Sequence, residues 1–472
     1  MTKRTLTRRR FTGAMAALAV SGRSPAAPNT RQATGVKVGE VTDRSAIVWM
    51  RVTASAGRNN DGIVRKGRPQ PLPKGTRIES LEGACPGAPG RVRLRYSTRE
   101  DLSGAKETRW VKVTEATDCS HQFHLTGLQP RAVYHYAAET ADPAGKSHGV
   151  LRGQFRTAPR PEDPAEITLA MITCQKYEHV DHADGYHIYD SMANLKPDFL
   201  ITAGDIVYYD SDDPRATSVG LARYHWQRMY SFPRHVQLLL NTPCYWEKDD
   251  HDTYFDDGWR TRVSPPMLPF TFEEGLQIFR EQVPMGRWTY RTFRWGKDLQ
   301  IWLVEGRDYR SPNDMTDGPE KSIWGVTQKT WLKQSLLKSD ARWKILVSPT
   351  PIVGPDRPNK NDNHSNRAFA HEGREFREWL QKNLPDNFFT LNGDRHWQYH
   401  SVHPETKLNE FSAGCASDPH AGGTPGEDKR YHLFHRVGGG FLSVNVSRAG
   451  IRFRHHDVRG EVVYEYSKQS QA

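Results

Sequence analysis

The chain predicts two domains in series, an all-β sandwich followed by an α/β domain, and three observations carry that reading. Its 472 residues exceed one average domain and leave ample material for a core. From about residue 35 to 158 apolar and polar residues alternate, as in Ser45-Ala46-Ile47-Val48-Trp49-Met50-Arg51 and Val92-Arg93-Leu94-Arg95-Tyr96, the period of two expected of strands. Beyond residue 165 the apolar runs are too uniform for half-exposed strands. Leu200, Ile201 and Ala203 read as a strand buried on both faces, as in a parallel sheet.

Taken in order, residues 1–27 read as a twin-arginine export signal. Thr7-Arg8-Arg9-Arg10-Phe11 precedes the apolar run Ala14-Met15-Ala16-Ala17-Leu18-Ala19-Val20. That run is far shorter than the roughly 20 residues a membrane span needs, so no transmembrane segment is expected. Cleavage is expected near Ala26 or Ala27. A mature protein delivered by the twin-arginine export machinery to the periplasm or outside the cell follows. The same stretch holds Lys3, Arg4, Arg8, Arg9, Arg10 and Arg23 and no acid, so its removal takes the formal net charge from +11 to +5. The remaining excess suits an anionic substrate, and no basic run tracks a phosphate backbone, which argues against specific nucleic-acid binding. The five cysteines are Cys85, Cys119, Cys174, Cys244 and Cys415, an odd set for an oxidising compartment. Cys85 and Cys119 could pair, which the sequence leaves open.

Within the β domain (35–158), residues 54–90 are rich in Gly, Pro, Arg and Lys and read as a long surface insertion. Leu128, Pro130 and Tyr134 are spaced like the tyrosine corner of fibronectin type III or immunoglobulin-like sandwiches. Residues 153–159 supply a closing strand, and 159–164, with three prolines and two acids, a linker. The second domain (165–472) opens with a strand over 167–174, a helix over about 185–195, and the strand that ends in Ala203-Gly204-Asp205. Together these make a parallel βαβ unit. A helix over about 218–239, a strand at 244–246 and the run Glu247-Lys248-Asp249-Asp250-His251-Asp252 follow. A hairpin over 290–304 and strands over 343–347 and 388–391 come next, the last leading into Asn392-Gly393-Asp394-Arg395-His396.

Chemistry-bearing residues thus recur at the carboxyl ends of successive strands, where α/β sheets place their ligands. They are Cys174; Asp205 with Tyr208; Asp250 and His251; Ser348; and Asp394 with His396. Cys174, Asp205, Tyr208 and His396 offer a thiolate, a carboxylate, a phenolate and an imidazole. Phenolate is a poor ligand for most divalent ions and a good one for Fe3+. Asp205, Asp250 and Asp394 offer carboxylate oxygen suited to Ca2+ or Mg2+, with Asp205 as the expected bridge between two ions. Arg307, Arg310, Arg357 and Arg395 could contact phosphate, although only Arg395 stands inside a motif. His179, His182, His364 and His400 have no spacing that singles them out.

The order Cys, Gly-Asp-x-x-Tyr, Asp-Asp-His-Asp, Gly-Asp-Arg-His resembles the PhoD family of alkaline phosphatases, within the calcineurin-like metallophosphoesterases. The resemblance covers nearly the whole mature chain. It implies an α/β/β/α fold, a β-sandwich flanked by helices, behind the N-terminal all-β domain. It also implies a centre of Fe3+ with one or two Ca2+, Mg2+ or another divalent ion fitting the same donors. The implied activity is hydrolysis of phosphate monoesters or diesters, on small-molecule or lipid substrates, by metal-bound hydroxide, with His251 as the acid for the leaving oxygen. Three departures from the wider pattern stand out. Cys174 and Asp250 occupy positions that more often hold Asp and Asn. Ser348 replaces a metal-binding His. Glu247-Lys248 stands where close relatives more often place Trp. Two alternatives are carried forward: a phospholipase D-like phosphodiesterase, and a non-catalytic surface binding protein, which predicts lost ligands.

Overall fold

A computed structural model describes residues 30–384 and 386–470, so the expected export signal lies outside the described residues. The first domain contains strands β1 (Lys37–Gly39), β2 (Ser45–Arg51), β3 (Gly90–Ser97), β4 (Lys106–Glu107), β5 (Val111–Val113), β6 (Ser120–Thr126), β7 (Val133–Ala141) and β8 (Ser147–Arg156). They form two sheets, β1-β2-β6 and β4-β3-β7-β8, with β5 also paired to β3. In β3, Val92, Leu94 and Tyr96 are buried and the intervening arginines are partly exposed, as the alternation requires. The tyrosine corner forms: the Tyr134 hydroxyl accepts the Gln129 backbone N–H at 2.9 Å.

The second domain begins with β9 (Ile167–Ile172), α1 (His187–Leu195), β10 (Phe199–Ala203), α2 (Val219–Tyr230), α3 (Pro233–Leu239), β11 (Cys244–Glu247), α4 (Phe272–Gln282), β12 (Arg291–Trp295) and β13 (Leu299–Leu303). It continues through α5 (Gly325–Lys338), β14 (Trp343–Ser348), α6 (Ala370–Asn383), β15 (Phe388–Asn392), β16 (Gln398–Val402) and β17 (Asn409–Ala413). It closes with β18 (His432–Arg436), β19 (Gly440–Ser447), β20 (Gly450–Asp457) and β21 (Val462–Gln469). The single helix expected over 218–239 is two helices. Pro233 lacks a backbone N–H and holds Phe232 extended, which ends α2 and starts α3.

Two sheets face each other, β11-β10-β9-β19-β20-β21 and β12-β13-β14-β15-β17-β16-β18. Alternation along each strand decides the layers. Phe199, Ile201 and Ala203 of β10 point into the space between the sheets, where they meet Ile345, Val347 and Leu391. Leu200, between them, points outward beneath α1–α4, into a cluster with Ile188, Met192, Trp226 and Phe279. On the far side Leu346 packs under α5 and α6 with Leu332, Leu336, Phe376 and Leu380. The expected α/β/β/α order results because both faces of both sheets are apolar.

The β domain is welded to this sandwich. Trp49 Nε1 donates to the Glu281 carbonyl at 2.8 Å at the end of α4, and the Tyr136 hydroxyl to the Leu240 carbonyl at 2.8 Å after α3. The 54–90 insertion lies on the second domain rather than free in solvent. Leu81 and Ala84 bury against Tyr224 of α2, the Tyr224 hydroxyl donates to the Glu82 carbonyl at 2.7 Å, and Arg65 pairs with Asp213 at 2.9 Å. All five cysteines are buried free thiols, so Cys85 and Cys119 are not joined.

Candidate metal centre

Three of the expected ligands share one backbone device. Cys174, Asp205 and Asp394 each stand two residues past the end of β9, β10 and β15, and each has a left-handed backbone, with φ of 52°, 56° and 60°. Such φ values are uncommon outside Gly, Asn and Asp and cost most for Cys174, so the surroundings must hold them. Gly204 supplies the turn before Asp205 at φ +83°, where a Cβ would stand 2.6 Å from Asp249 Cβ. Gly393 lets the sheets meet: a Cβ there would lie 2.1 Å from the Ala203 carbonyl oxygen. Asp250 follows β11, whose Glu247 pairs in register with Ala203 of β10, so the two acidic turns emerge side by side.

The donor atoms converge around Asp205. Those of Cys174, Asp205 and His396 lie within 4.8 Å of one another, as do those of Asp205, Asp250 and His251, and those of Asp205, Asp249 and Asp394. Asp205 is common to these three groups, the position expected of a bridging carboxylate, while a fourth group, Asp250, Asp256 and Asp257, lies beside them without it. Tyr208 packs its ring 4.3 Å from that of His251. The Tyr208 hydroxyl, Asp205 Oδ1 and Asp250 Oδ1 are buried without a hydrogen-bond partner among the described residues. An orphaned buried polar atom costs roughly 1–3 kcal/mol, more if charged, so several aimed at one place suit a cation. The donor set fits as well. Carboxylates crowd the Asp205 side, and a thiol, a phenol and an imidazole stand on the other.

The electrostatics carry the same message. Burial, and then the Asp250 carboxylate, raise the pKa of Asp205 far above the carboxylate range. Burial pushes Asp252 up to about 8 even though it accepts the Asp249 and Ile206 N–H groups. Burial also raises the Cys174 thiol and the Tyr208 phenol, with Asp205 adding to both. Burial and mutual repulsion thus disfavour the charged forms of these groups, which bound cations would favour. Burial and the neighbouring His420 lower His396, leaving the neutral imidazole that ligation requires. His251 goes the other way. Burial alone would lower it, but Asp210, Asp250 and Asp205 raise it well above the usual histidine value. Its Nδ1 lies 2.6 Å from Asp210 Oδ1, which fixes the ring, while Nε2 faces Asp256 Oδ1 at 3.8 Å.

All seven residues singled out as ligands or acid are thus brought together. The four arginines are all engaged by acidic residues or by a carbonyl, three of them buried. Arg307 and Arg395 are fully buried; Arg307 Nε donates to Asp249 at 2.5 Å, and Arg395 contacts Asp394 and donates to Asp356 at 2.9 Å. Arg310 donates to the Asp362 carbonyl, while Arg357 stays partly exposed beside Asp356. His364 is bonded to Glu372 and His400 to Asn409 and Tyr464, both away from the ligand groups; His179 and His182 are partly exposed. Ser348 turns its hydroxyl to the Thr350 carbonyl at 2.7 Å. Lys248, in place of the aromatic, is buried between Glu305 (2.5 Å) and Asp308 (2.8 Å), and Glu247 pairs with Arg291 at 3.0 Å. Two residues of the site carried no signal in sequence. Asp210 is one acid among many in a polar loop, and His420 lies far along the chain between β17 and β18.

Comparison with known proteins bears on the family and the fold. The PhoD-like phosphatase family matches residues 169–469, and the PhoD-like phosphatase N-terminal domain matches 17–159. Alkaline phosphatase D of Bacillus subtilis is 23% identical over 400 residues, which cover 72% of this chain and 65% of that relative. The chain therefore spans a little under two thirds of its length. A solved structure of PhoD superposes with a TM-score of 0.74 at 16% identity, covering 93% of this chain and 91% of that one. Purple acid phosphatase PPD1 from yellow lupin (Lupinus luteus) gives 0.64 at 11% identity, covering 94% and 75%. Likeness at these identities concerns the fold, and it agrees with the sandwich just described. With its catalytic domain matched almost from end to end, the chain belongs to the PhoD-like phosphatase family.

Proposed function

We propose that this protein is an exported, metal-dependent phosphoesterase acting on phosphate monoesters, diesters or both at a dinuclear site. The observation that carries the proposal is the convergence on Asp205 of buried oxygens that make no hydrogen bond among the described residues: its Oδ1, the Tyr208 hydroxyl and Asp250 Oδ1, the last 3.6 Å from Arg307 Nη2. Cys174, Asp205, Tyr208 and His396 would hold Fe3+, and Asp205, Asp250 and Asp394 one or two Ca2+ ions. Bound there, the ions would supply Lewis-acid neutralisation of phosphoryl charge and make water a better nucleophile. The chain's own acid is His251. Its Nδ1–H donates to Asp210, so Nε2 holds the proton that passes to the leaving oxygen as the bond to phosphorus breaks. Asp210 is the lasting cause of that protonation, since cations would offset the charge of Asp205 and Asp250. His251 and His396 are the partly exposed members of a group otherwise buried, so substrate reaches the site from their side.

Retention of all six candidate ligands speaks against the non-catalytic binding protein. Metal analysis of the purified mature protein, run beside parallel mono- and diester assays, tests the proposal. Iron and calcium with turnover are expected. Stoichiometric zinc without iron would overturn the ligand assignment, and unchanged turnover in His251→Ala would remove the acid. A strong preference for choline phospholipids over soluble monoesters would move the protein to the phospholipase D-like reading.

A further inference from the structure

His420 touches three of the four residues on the thiolate side of the site. Its Nδ1 lies 3.1 Å from the Cys174 carbonyl oxygen, its ring 4.0 Å from that of His396, and 5.5 Å from that of Tyr208. A carbonyl can only accept, so Nδ1 carries the proton and the tautomer is fixed. The same carbonyl also accepts the Ala416 N–H at 3.2 Å. The surrounding segment closes a bracket: the Gly422 N–H donates to the His396 carbonyl at 3.1 Å, and the Ser417 hydroxyl to the His179 carbonyl at 2.7 Å.

The bracket answers a specific need. Cys174 is the non-Asx residue among the three left-handed positions of the site, and a side chain there persists only where neighbours over-determine it. Two donors on its carbonyl do so, and one of them belongs to a side chain whose ring also packs, tilted by 46°, against His396.

We propose that His420 is a positioning residue for the Cys174–Tyr208–His396 face, locking the strained Cys174 backbone through Nδ1–H and aligning the His396 and Tyr208 rings by packing. The role rests on the metal reading given above. The test uses the full chain with His420→Ala, His420→Phe and His420→Asn. Phe keeps a ring without the donor, whereas the Asn side-chain N–H can take the place of Nδ1–H. Iron affinity, titrated against a competing chelator, is expected to fall about 10- to 100-fold in the Ala and Phe variants and to recover in Asn. The visible tyrosinate-to-iron absorption should shift in Phe and hold near its original position in Asn. Site-resolved alkylation of Cys174 in metal-free protein supplies a reading independent of the metal. It should rise several-fold in Ala and Phe and stay near the parent in Asn. Unchanged Cys174 labelling in all three variants overturns the proposal. The expected labelling pattern in the variants, with a parent protein that takes up no iron, would instead overturn the metal assignment and leave the positioning role standing.

Discussion

The Asp210 carboxylate sits 2.6 Å from His251 Nδ1, and with burial opposing it supplies the charge that keeps the imidazole protonated. Asp210→Asn keeps a hydrogen-bond acceptor and removes that charge. We expect kcat to fall about 100-fold with KM little changed, measured on the metal-loaded enzyme at neutral pH. An equal loss through KM would place Asp210 in substrate binding instead. Lys248 makes a different kind of prediction. It is buried between Glu305 and Asp308, so Lys248→Met leaves two buried carboxylates facing each other. Chemical denaturation should register a loss of roughly 3–5 kcal/mol. Asp205 and Tyr208 were legible at this scale because a Gly-Asp turn with a tyrosine three residues on is a local pattern. Asp210 was not, since its partner stands 41 residues away.

Among the elements, the turn after β15 is the least tolerant. Gly393→Ala would drive a methyl group into the Ala203 carbonyl and the Thr173 hydroxyl, at 2.1 and 2.7 Å, and push β10 and Asp205 out of place. A loss of at least about 2 kcal/mol in stability, with loss of iron uptake, is the expected result. Helix α6 carries a pH-dependent contribution. Glu372 is buried, which alone would raise its pKa, but His364 Nε2 at 3.0 Å, the Ser322 hydroxyl and the Ile323 N–H at 2.6 Å hold it down to about 2. Its folded value lies below its unfolded one of 4.5, so the stabilisation is complete above that pH and vanishes as pH falls toward 2. The shift corresponds to about 3 kcal/mol. Glu372→Gln should be less stable at pH 7 and show a flatter stability profile across that acidic window; an unchanged slope would refute the assignment. Strands were readable from period-two and uniformly apolar runs, whereas α4, α5, α6 and strands β16–β21 were not placed from the sequence.

At the scale of the whole molecule, one apolar cluster runs from Val48 and Tyr136 of the β domain to Ile201 and Leu391 between the sheets. The seam adds hydrogen bonds from Trp49, Tyr136 and Lys37 to carbonyls of Glu281, Leu240 and Gln282. Calorimetry should therefore record a single unfolding transition for the intact protein, and residues 165–472 alone should fail to give a soluble folded product. Two well-separated transitions would show the domains to be independent. The insertion belongs to the same argument. Through Arg65 on Asp213, and Arg58 with Glu82 on Tyr177, it grips the loops that carry Asp210 and Cys174.

The sequence alone determined the two-domain order and the strands that end at the site, and it proposed the seven candidate residues that the fold gathers there. Each of these depends on spacing within a few positions along the chain. The tertiary structure decided what lies beyond that range. It set the approach of the two sheets at Gly393, the free state of Cys85 and Cys119, the docked insertion and the Asp210–His251 pair. It also brought His420 to the carbonyl of Cys174 across 246 residues. A backbone pattern is local, whereas the partner of a buried polar group is chosen by packing, and packing joins residues that no spacing relates.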